Sequence, residues 1–250
     1  MPNKITKFRK DLKTKQLIGA WFQLGSNEIV SLVSENDFDF YTIDFEHGMF
    51  DFSTVGDAIK LLKYKNKISL CRVSNKEESY INKILDLGFD GIILSNIKSK
   101  EELQKIYQYL NYPPYGKRSV GYNTANLFGK NLLKDLKNKE KKIIIAQIES
   151  REAIDNFRDL VSLETVDAFM VGPYDLSASL GVAGNFKSKK FINALKFIEN
   201  ISRKFLIPLG IHVFNKDENL SLLKKRGYRF IAFSTDGEIL NKNYKKPIQK

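Results

Sequence analysis

Three short stretches carry carboxylates and histidine where an apolar run breaks off: Tyr41–Met49 (YTIDFEHGM), Ile143–Ala153 (IIIAQIESREA) and Phe169–Ser177 (FMVGPYDLS). Each opens as a buried strand would and ends in groups that hold charge or turn the backbone. Glu149 and Asp175 lie 26 residues apart, close to one strand–helix repeat, so neighbouring strand ends would let their side chains converge. Two carboxylates, completed by waters and substrate oxygens, make a site for a hard divalent cation of the Mg2+ or Mn2+ type. The plainer reading is that each carboxylate caps a helix. Gly172 and Pro173, just before Asp175, predict a tight turn whose backbone N–H groups could receive a substrate carboxylate.

Asp44, Glu46 and His47 form a second group. A histidine three residues after an aspartate, at a strand end, suits a carboxylate-oriented acid/base dyad, or else a structural histidine. Arg72 follows the apolar run Ile68–Cys71 and would bring a guanidinium to the same place. A charge there is costly to bury unless it meets an anion, which leaves an oxyanion, a substrate carboxylate or an ion pair with Glu46. Gln147 and Trp21 belong either to the pocket lining or to the core. His212, after Leu209-Gly210-Ile211, stands at the rim of the site or on the surface. Cys71 reads as a packing residue.

Positioning these groups takes parallel strands whose C-terminal ends share one face. Eight apolar or β-branched segments qualify: Leu17–Phe22, Phe40–Asp44, Ile68–Val73, Gly91–Leu94, Ile143–Ile148, Ala168–Val171, Pro208–His212 and Phe230–Ser234. Residues at helical spacing fill most of the intervals, for example Val55, Ala58, Ile59 and Leu62. Eight strand–helix units in 250 residues predict a (β/α)8 barrel, one domain over 1–250, with a short N-terminal helix and a C-terminal helical tail. Gly88 and Gly227 stand where helices should end, and Ser150 where one should begin. The connection from Asn96 to Lys142, with Tyr112-Pro113-Pro114-Tyr115-Gly116, is long enough that part of it is expected to fold over the barrel mouth.

Composition narrows the class. The chain is 42% hydrophobic and 28% charged, as globular proteins are. One cysteine excludes an internal disulfide framework and a thiolate metal cluster. The lysine-studded start lacks an apolar signal region, and no run reaches membrane-spanning length, so a cytoplasmic protein is expected. The net charge of +12 comes from 33 Lys and 8 Arg. Lysine-rich solvated faces explain it better than nucleic-acid binding, for which arginine does the base-edge work and no motif is present.

The ordered motifs IDFEH, CRV, YPPYGKRSVGY, AQIESREA and VGPYDLSASLG, from about Leu17 to Thr235, resemble the HpcH/HpaI class II pyruvate aldolases. These are relatives of the citrate lyase β subunit within the phosphoenolpyruvate/pyruvate superfamily. The resemblance implies a lyase that cleaves or forms 4-hydroxy-2-oxo acids, from pyruvate or a similar 2-oxo acid and an aldehyde, through a metal-stabilised enolate. It implies Glu149 and Asp175 as ligands of a divalent cation, Mg2+ or Mn2+ with Co2+ as an alternative, and Arg72 as the group that steadies the enolate oxygen. His47, oriented by Asp44, would transfer protons. Trp21 and Gln147 would line the 2-oxo acid, the amides around Pro173–Asp175, beside Gly172 and Tyr174, would hold its carboxylate, and His212 would border the aldehyde and favour polar ones. A homo-oligomer, hexameric or dimer-based, is implied as well.

Tyr174, Ser119 in the YPP loop and His212 depart from the family pattern, His212 at the strand end that helps shape the aldehyde pocket. These departures bear on aldehyde specificity and leave the core chemistry standing. A citryl- or malyl-CoA lyase-like enzyme and a catalytically silent basic binding protein are the competing readings. A 250-residue chain without an evident nucleotide pocket disfavours the first, and the intact Asp44, His47, Arg72, Glu149 and Asp175 disfavour the second.

Overall fold

Residues 3–137, 141–214 and 219–244 are described by a computed structural model of the chain. The strands are β1 (Leu17–Phe22), β2 (Phe40–Asp44), β3 (Ser69–Val73), β4 (Gly91–Leu94), β5 (Ile143–Ile148), β6 (Ala168–Val171), β7 (Leu209–Val213) and β8 (Tyr228–Phe233). Neighbours pair in parallel and in sequence order, and β8 pairs with β1, so the sheet closes into a barrel. Five strands have the expected bounds. The others differ for local reasons. Pro208 has no N–H for the ladder, and Ser234, at φ 50°, has already left the strand conformation.

Helices fill the intervals: α1 (Lys4–Thr14), α2 (Asn27–Val33), α3 (Val55–Tyr64), α4 (Glu78–Leu87), α5 (Lys100–Leu110), α6 (Leu132–Lys137), α7 (Arg151–Asp155), α8 (Phe157–Val161), α9 (Pro173–Ser179), α10 (Lys189–Lys204), α11 (Leu220–Arg226) and α12 (Asp236–Asn243). Gly88 and Gly227 end α4 and α11 at φ 107° and 104°, and Ser150 caps α7 by accepting the Ala153 N–H. The tail beyond α12, including Pro247, lies outside the described residues. Among the described residues no helix is long and apolar enough to cross a membrane.

Side chains alternate between two cores. Outward residues such as Tyr41, Ile43, Cys71, Val73, Ile92, Ile144, Phe169 and Ile231 pack under the helices. Inward residues such as Leu17, Phe40, Leu70, Ile93, Ile143, Ile145, Met170 and Phe230 fill the lumen, and Ile5, Phe8 and Leu12 of α1 close its floor. The stacked rings of Phe40 and Phe230, 4.1 Å apart, fill most of one lumen layer. Gly19 makes room for them: a Cβ there would fall 2.0 Å from the Phe40 ring. With period two, the next inward position on several strands is a polar or aromatic residue at the mouth, which is how Trp21, Asp44, Arg72, Gln147 and His212 come to face one another.

The connection from Asn96 to Lys142 does not cover the mouth. After α5 the chain is back at the N-terminal end of the strands, where β5 must begin, and the segment stays there. Lys117 and Arg118 bond back to Gln108 and Asn111, and the Ala125 N–H donates to Asp86 at the end of α4. Residues 111–118 border a cavity of about 290 Å³ at this floor, together with Asn3, Lys4, Asp90 and Lys142.

Candidate active site

Asp44 is the most heavily bonded group of the mouth. It is fully buried. Its Oδ1 accepts from Arg72 Nε at 2.9 Å and from the main-chain N–H groups of Glu46 and His47 at 3.0 and 3.2 Å. Its Oδ2 accepts from Arg72 Nη2, from Gln23 Nε2 at 2.8 Å and from Trp21 Nε1 at 3.2 Å. Burial alone would raise its pKa, but the Arg72 guanidinium outweighs that, with Gln23 and Trp21 adding to it, and the value falls to about 2. Asp44 therefore stays ionised and fixes Arg72. It reaches His47 through the backbone N–H and not through the ring, so the expected carboxylate–imidazole dyad is replaced by a carboxylate–guanidinium pair. The His47 side chain is exposed at the rim.

Arg72 is buried and lies over the Trp21 ring, 5.0 Å from its centroid. Its remaining nitrogen, Nη1, is 3.3 Å from Glu46 Oε2. Glu46 in turn accepts from Ser95 Oγ at 2.8 Å. The ion pair with Glu46 and the placement at the mouth, alternatives from sequence alone, occur together.

Glu149 follows the last inward residue of β5 and is 7% exposed. Its Oε1 accepts the Asn96 N–H at 2.5 Å and its Oε2 the Gln147 amide at 2.5 Å. Burial, then the negative charges of Asp175 and Glu46, push its pKa up to about 7 against the pull of Asn96 and Arg72. Asp175, in the first turn of α9, is exposed. Gly172 is needed between them and β6: a Cβ there would fall 2.6 Å from both Gln147 Nε2 and Glu149 Oε2. The other amide atom, Gln147 Oε1, is buried without a partner.

This donor set suits a hard cation. It is made of oxygen, it crowds like charges, and the amide that bonds Glu149 carries an orphaned carbonyl oxygen. Among the described residues no three His, Cys, Asp or Glu side chains gather as a closed metal cage. A cation held by Glu149 and Asp175 would keep open positions for a substrate.

His212 is 9% exposed, which removes the surface alternative. Its ring stacks on Phe214 at 4.3 Å and 10° and tilts against Trp21 at 4.8 Å. Nε2 lies 3.0 Å from the Ser234 carbonyl, which only accepts, so Nε2 carries the proton. Burial pushes its pKa down to about 4. The ring is neutral near pH 7 and presents its faces, in place of the titratable group expected at the aldehyde side.

Sequence reading missed Gln23, Ser95, Asn96 and Asp236. Asp236, buried at the start of α12, accepts the Gln23 and Leu24 N–H groups at 2.8 and 3.2 Å. It thereby holds Gln23 where it can bond Asp44. Gln23 and Asn96 lie one and two residues past the ends of β1 and β4, a position that could have flagged them. Asn96 has φ 49° and Ser234 φ 50°, left-handed conformations that aim the Asn96 N–H at Glu149 and leave the Ser234 carbonyl for His212.

A model of the HpcH/HpaI aldolase/citrate lyase family matches residues 17–242. A 5-keto-4-deoxy-D-glucarate aldolase of Escherichia coli is 32% identical over 207 residues, covering 82% of this chain and 81% of its own length. The crystal structure of an HpcH/HpaI aldolase/citrate lyase family protein from Burkholderia cenocepacia superposes with a TM-score of 0.87 at 23% identity, over 95% of this chain and 96% of the other. A citrate lyase β subunit from M. tuberculosis, complexed with oxaloacetate and magnesium, shares the fold at a TM-score of 0.59 and 11% identity, over 94% of this chain and all of the other.

Proposed function

This chain belongs to the HpcH/HpaI aldolase/citrate lyase family of carbon–carbon lyases, and from that premise we propose that it cleaves and forms 4-hydroxy-2-oxo acids, joining pyruvate or a close 2-oxo acid to an aldehyde with a divalent cation. The observation that carries the reading is a buried guanidinium facing a crowded group of carboxylates across one barrel mouth. Glu149 and Asp175 would hold the cation, of the Mg2+ or Mn2+ type. Bound there, it supplies a Lewis acid for the 2-oxo group.

Arg72, fixed on two nitrogens by Asp44, places positive charge where the enolate oxygen develops. Because Asp44 is already paired, the arginine need not reorganise when that charge appears. His47, on a loop whose backbone is tied to Asp44, takes the proton of the 4-hydroxyl in cleavage and returns it in addition. Trp21 and Gln147 wall the 2-oxo acid, and Gly172 keeps the approach beside Glu149 free of a side chain. We also assign the chain to a homo-oligomer. Tyr122 and Phe128, each 74% exposed on the Asn96–Lys142 connection, offer apolar surface for a second copy, and light scattering tests it.

Pyruvate release from a panel of 4-hydroxy-2-oxo acids, with and without EDTA and with Mn2+ or Mg2+ restored, tests the function. Release should stop on exhaustive chelation and return with metal. Full activity in the chelated enzyme would sink the metal assignment.

A further inference from the structure

One side of the mouth is lined by rings rather than charges. Trp21 lies under Arg72, His212 tilts against Trp21 at 4.8 Å, and Phe214 stacks on His212 at 4.3 Å. Tyr174 meets Phe214 edge to face at 5.2 Å, and Phe186 meets Tyr174 at 5.1 Å. The row therefore starts at the guanidinium and runs outward through Tyr174 and Phe186 to Phe191 of α10, 5.3 Å from Phe186. Its inner end borders the 2-oxo acid site. Its outer part is open to solvent, Tyr174 being 53% and Phe186 38% exposed.

Large exposed aromatic faces next to a reacting centre gain most from an apolar partner, and ring–ring contacts add a preference for planar ones. The polar reading of His212 does not survive its geometry. Nε2 is bonded to Ser234 and the ring is held between contacts with Trp21 and Phe214, so it neither charges readily nor turns freely.

Resting on the aldolase reading above, we propose that this row is the acceptor wall and that it selects aldehydes bearing an aromatic or similarly planar apolar group. In the addition the enolate carbon attacks the aldehyde carbonyl carbon. A carbon–carbon bond forms, and the carbonyl π pair becomes an alkoxide that takes a proton to give the 4-hydroxy-2-oxo acid. The aldehyde's substituent then lies along Phe214 and Tyr174. Cleavage is the reverse.

The test compares benzaldehyde with glycolaldehyde as acceptors for pyruvate in the metal-supplied enzyme. Exchange of pyruvate methyl protons with deuterium is followed in parallel. Benzaldehyde should be favoured about tenfold or more in kcat/KM, the scale of one modest apolar contact in a pocket. Tyr174→Ala should lower benzaldehyde's kcat/KM about tenfold more than glycolaldehyde's, while Tyr174→Phe, which keeps the ring, should retain the preference. Wild-type enzyme that exchanges protons yet favours glycolaldehyde overturns the wall and leaves the pyruvate reading standing. So does a Tyr174→Ala variant in which both aldehydes respond equally. If that variant keeps its preference but changes assembly state in light scattering, the rings belong to a contact between copies and the inference also fails. Absence of exchange in the metal-supplied wild type overturns the pyruvate reading, and the wall with it.

Discussion

The two ends of this barrel use the same residue types for opposite purposes. At the floor, carboxylates just before a strand stitch it to its neighbour. Asp39 accepts the Ile18 N–H, Asp90 the Ser69 N–H and Oγ–H, and Asp167 the Ile144 N–H. Asp90 and Asp167 are also neutralised, by Lys4 at 2.7 Å and Arg9 at 2.6 Å. At the mouth, Asp175 and Glu46 both repel Glu149, which is pushed up to about 7. Asp44 is paired on both oxygens there and Glu46 shares Arg72 with it, while Glu149 and Asp175 have no ion pair among the described residues. Charge that is balanced holds the barrel shut, and charge left unbalanced waits for a ligand.

The widest separation of the two ends should come from Arg72→Ala. It should cut pyruvate release by roughly two powers of ten or more, the order seen when one oxyanion donor is lost, and slow pyruvate proton exchange as well. A variant that keeps fast exchange would move Arg72 to the aldehyde half.

Acid unfolding should sharpen the contrast next. His212 has a folded pKa of about 4 against an ordinary 6.5, so between those values the unfolded chain binds more protons. Its contribution is complete above pH 6.5 and is lost as pH falls to 4, amounting to about 3 kcal/mol. Asp44, lowered to about 2 from 3.8, adds a second loss of about 2 kcal/mol below pH 4, again because its folded form resists protonation. Glu149, raised from 4.5 to about 7, works the other way over the same range, because its folded form binds the proton first. The histidine is therefore read from the difference between proteins: urea midpoints of His212→Phe should rise relative to those of the wild type as pH falls from 7 to 4. Equal slopes in the two would contradict the burial argument.

Asp90→Ala should leave kcat for pyruvate release near wild type and cost about 2 kcal/mol in urea unfolding, since it strips partners from Lys4 and from the Ser69 amide. A large fall in kcat would erase the division between the two ends. Asp39→Ala, at an exposed carboxylate with one backbone bond, should cost only about 0.5–1 kcal/mol by the same measurement.

The sequence made the barrel legible because strand and helix periods alternate cleanly, and it made Asp44, Arg72 and Glu149 legible because charge follows an apolar run. Asp39, Asp90 and Asp167 look much the same in composition. What distinguishes them is that they precede their strands, and reading direction alone places them at the floor. The same rule corrects the Asn96–Lys142 segment: it follows a helix and precedes a strand, so it belongs to the floor whatever its length. His212 could have been assigned to the lumen by parity, two residues after Gly210 and paired with the inward Ala232. Asp236 was out of reach. It acts through a partner distant in the chain, and no local period encodes that.

The bond from Asp236 to the loop after β1 also sets an order of events during synthesis. The clasp on Gln23 is supplied by the start of α12, near the end of the described chain. A ribosome that has made seven strands has produced Asp44 and Arg72 but not the residue that settles their neighbour. The surroundings of Asp44 and Arg72 in a nascent chain are therefore finished late, and a fragment ending at Thr235 should fold a barrel wall without a fully set mouth.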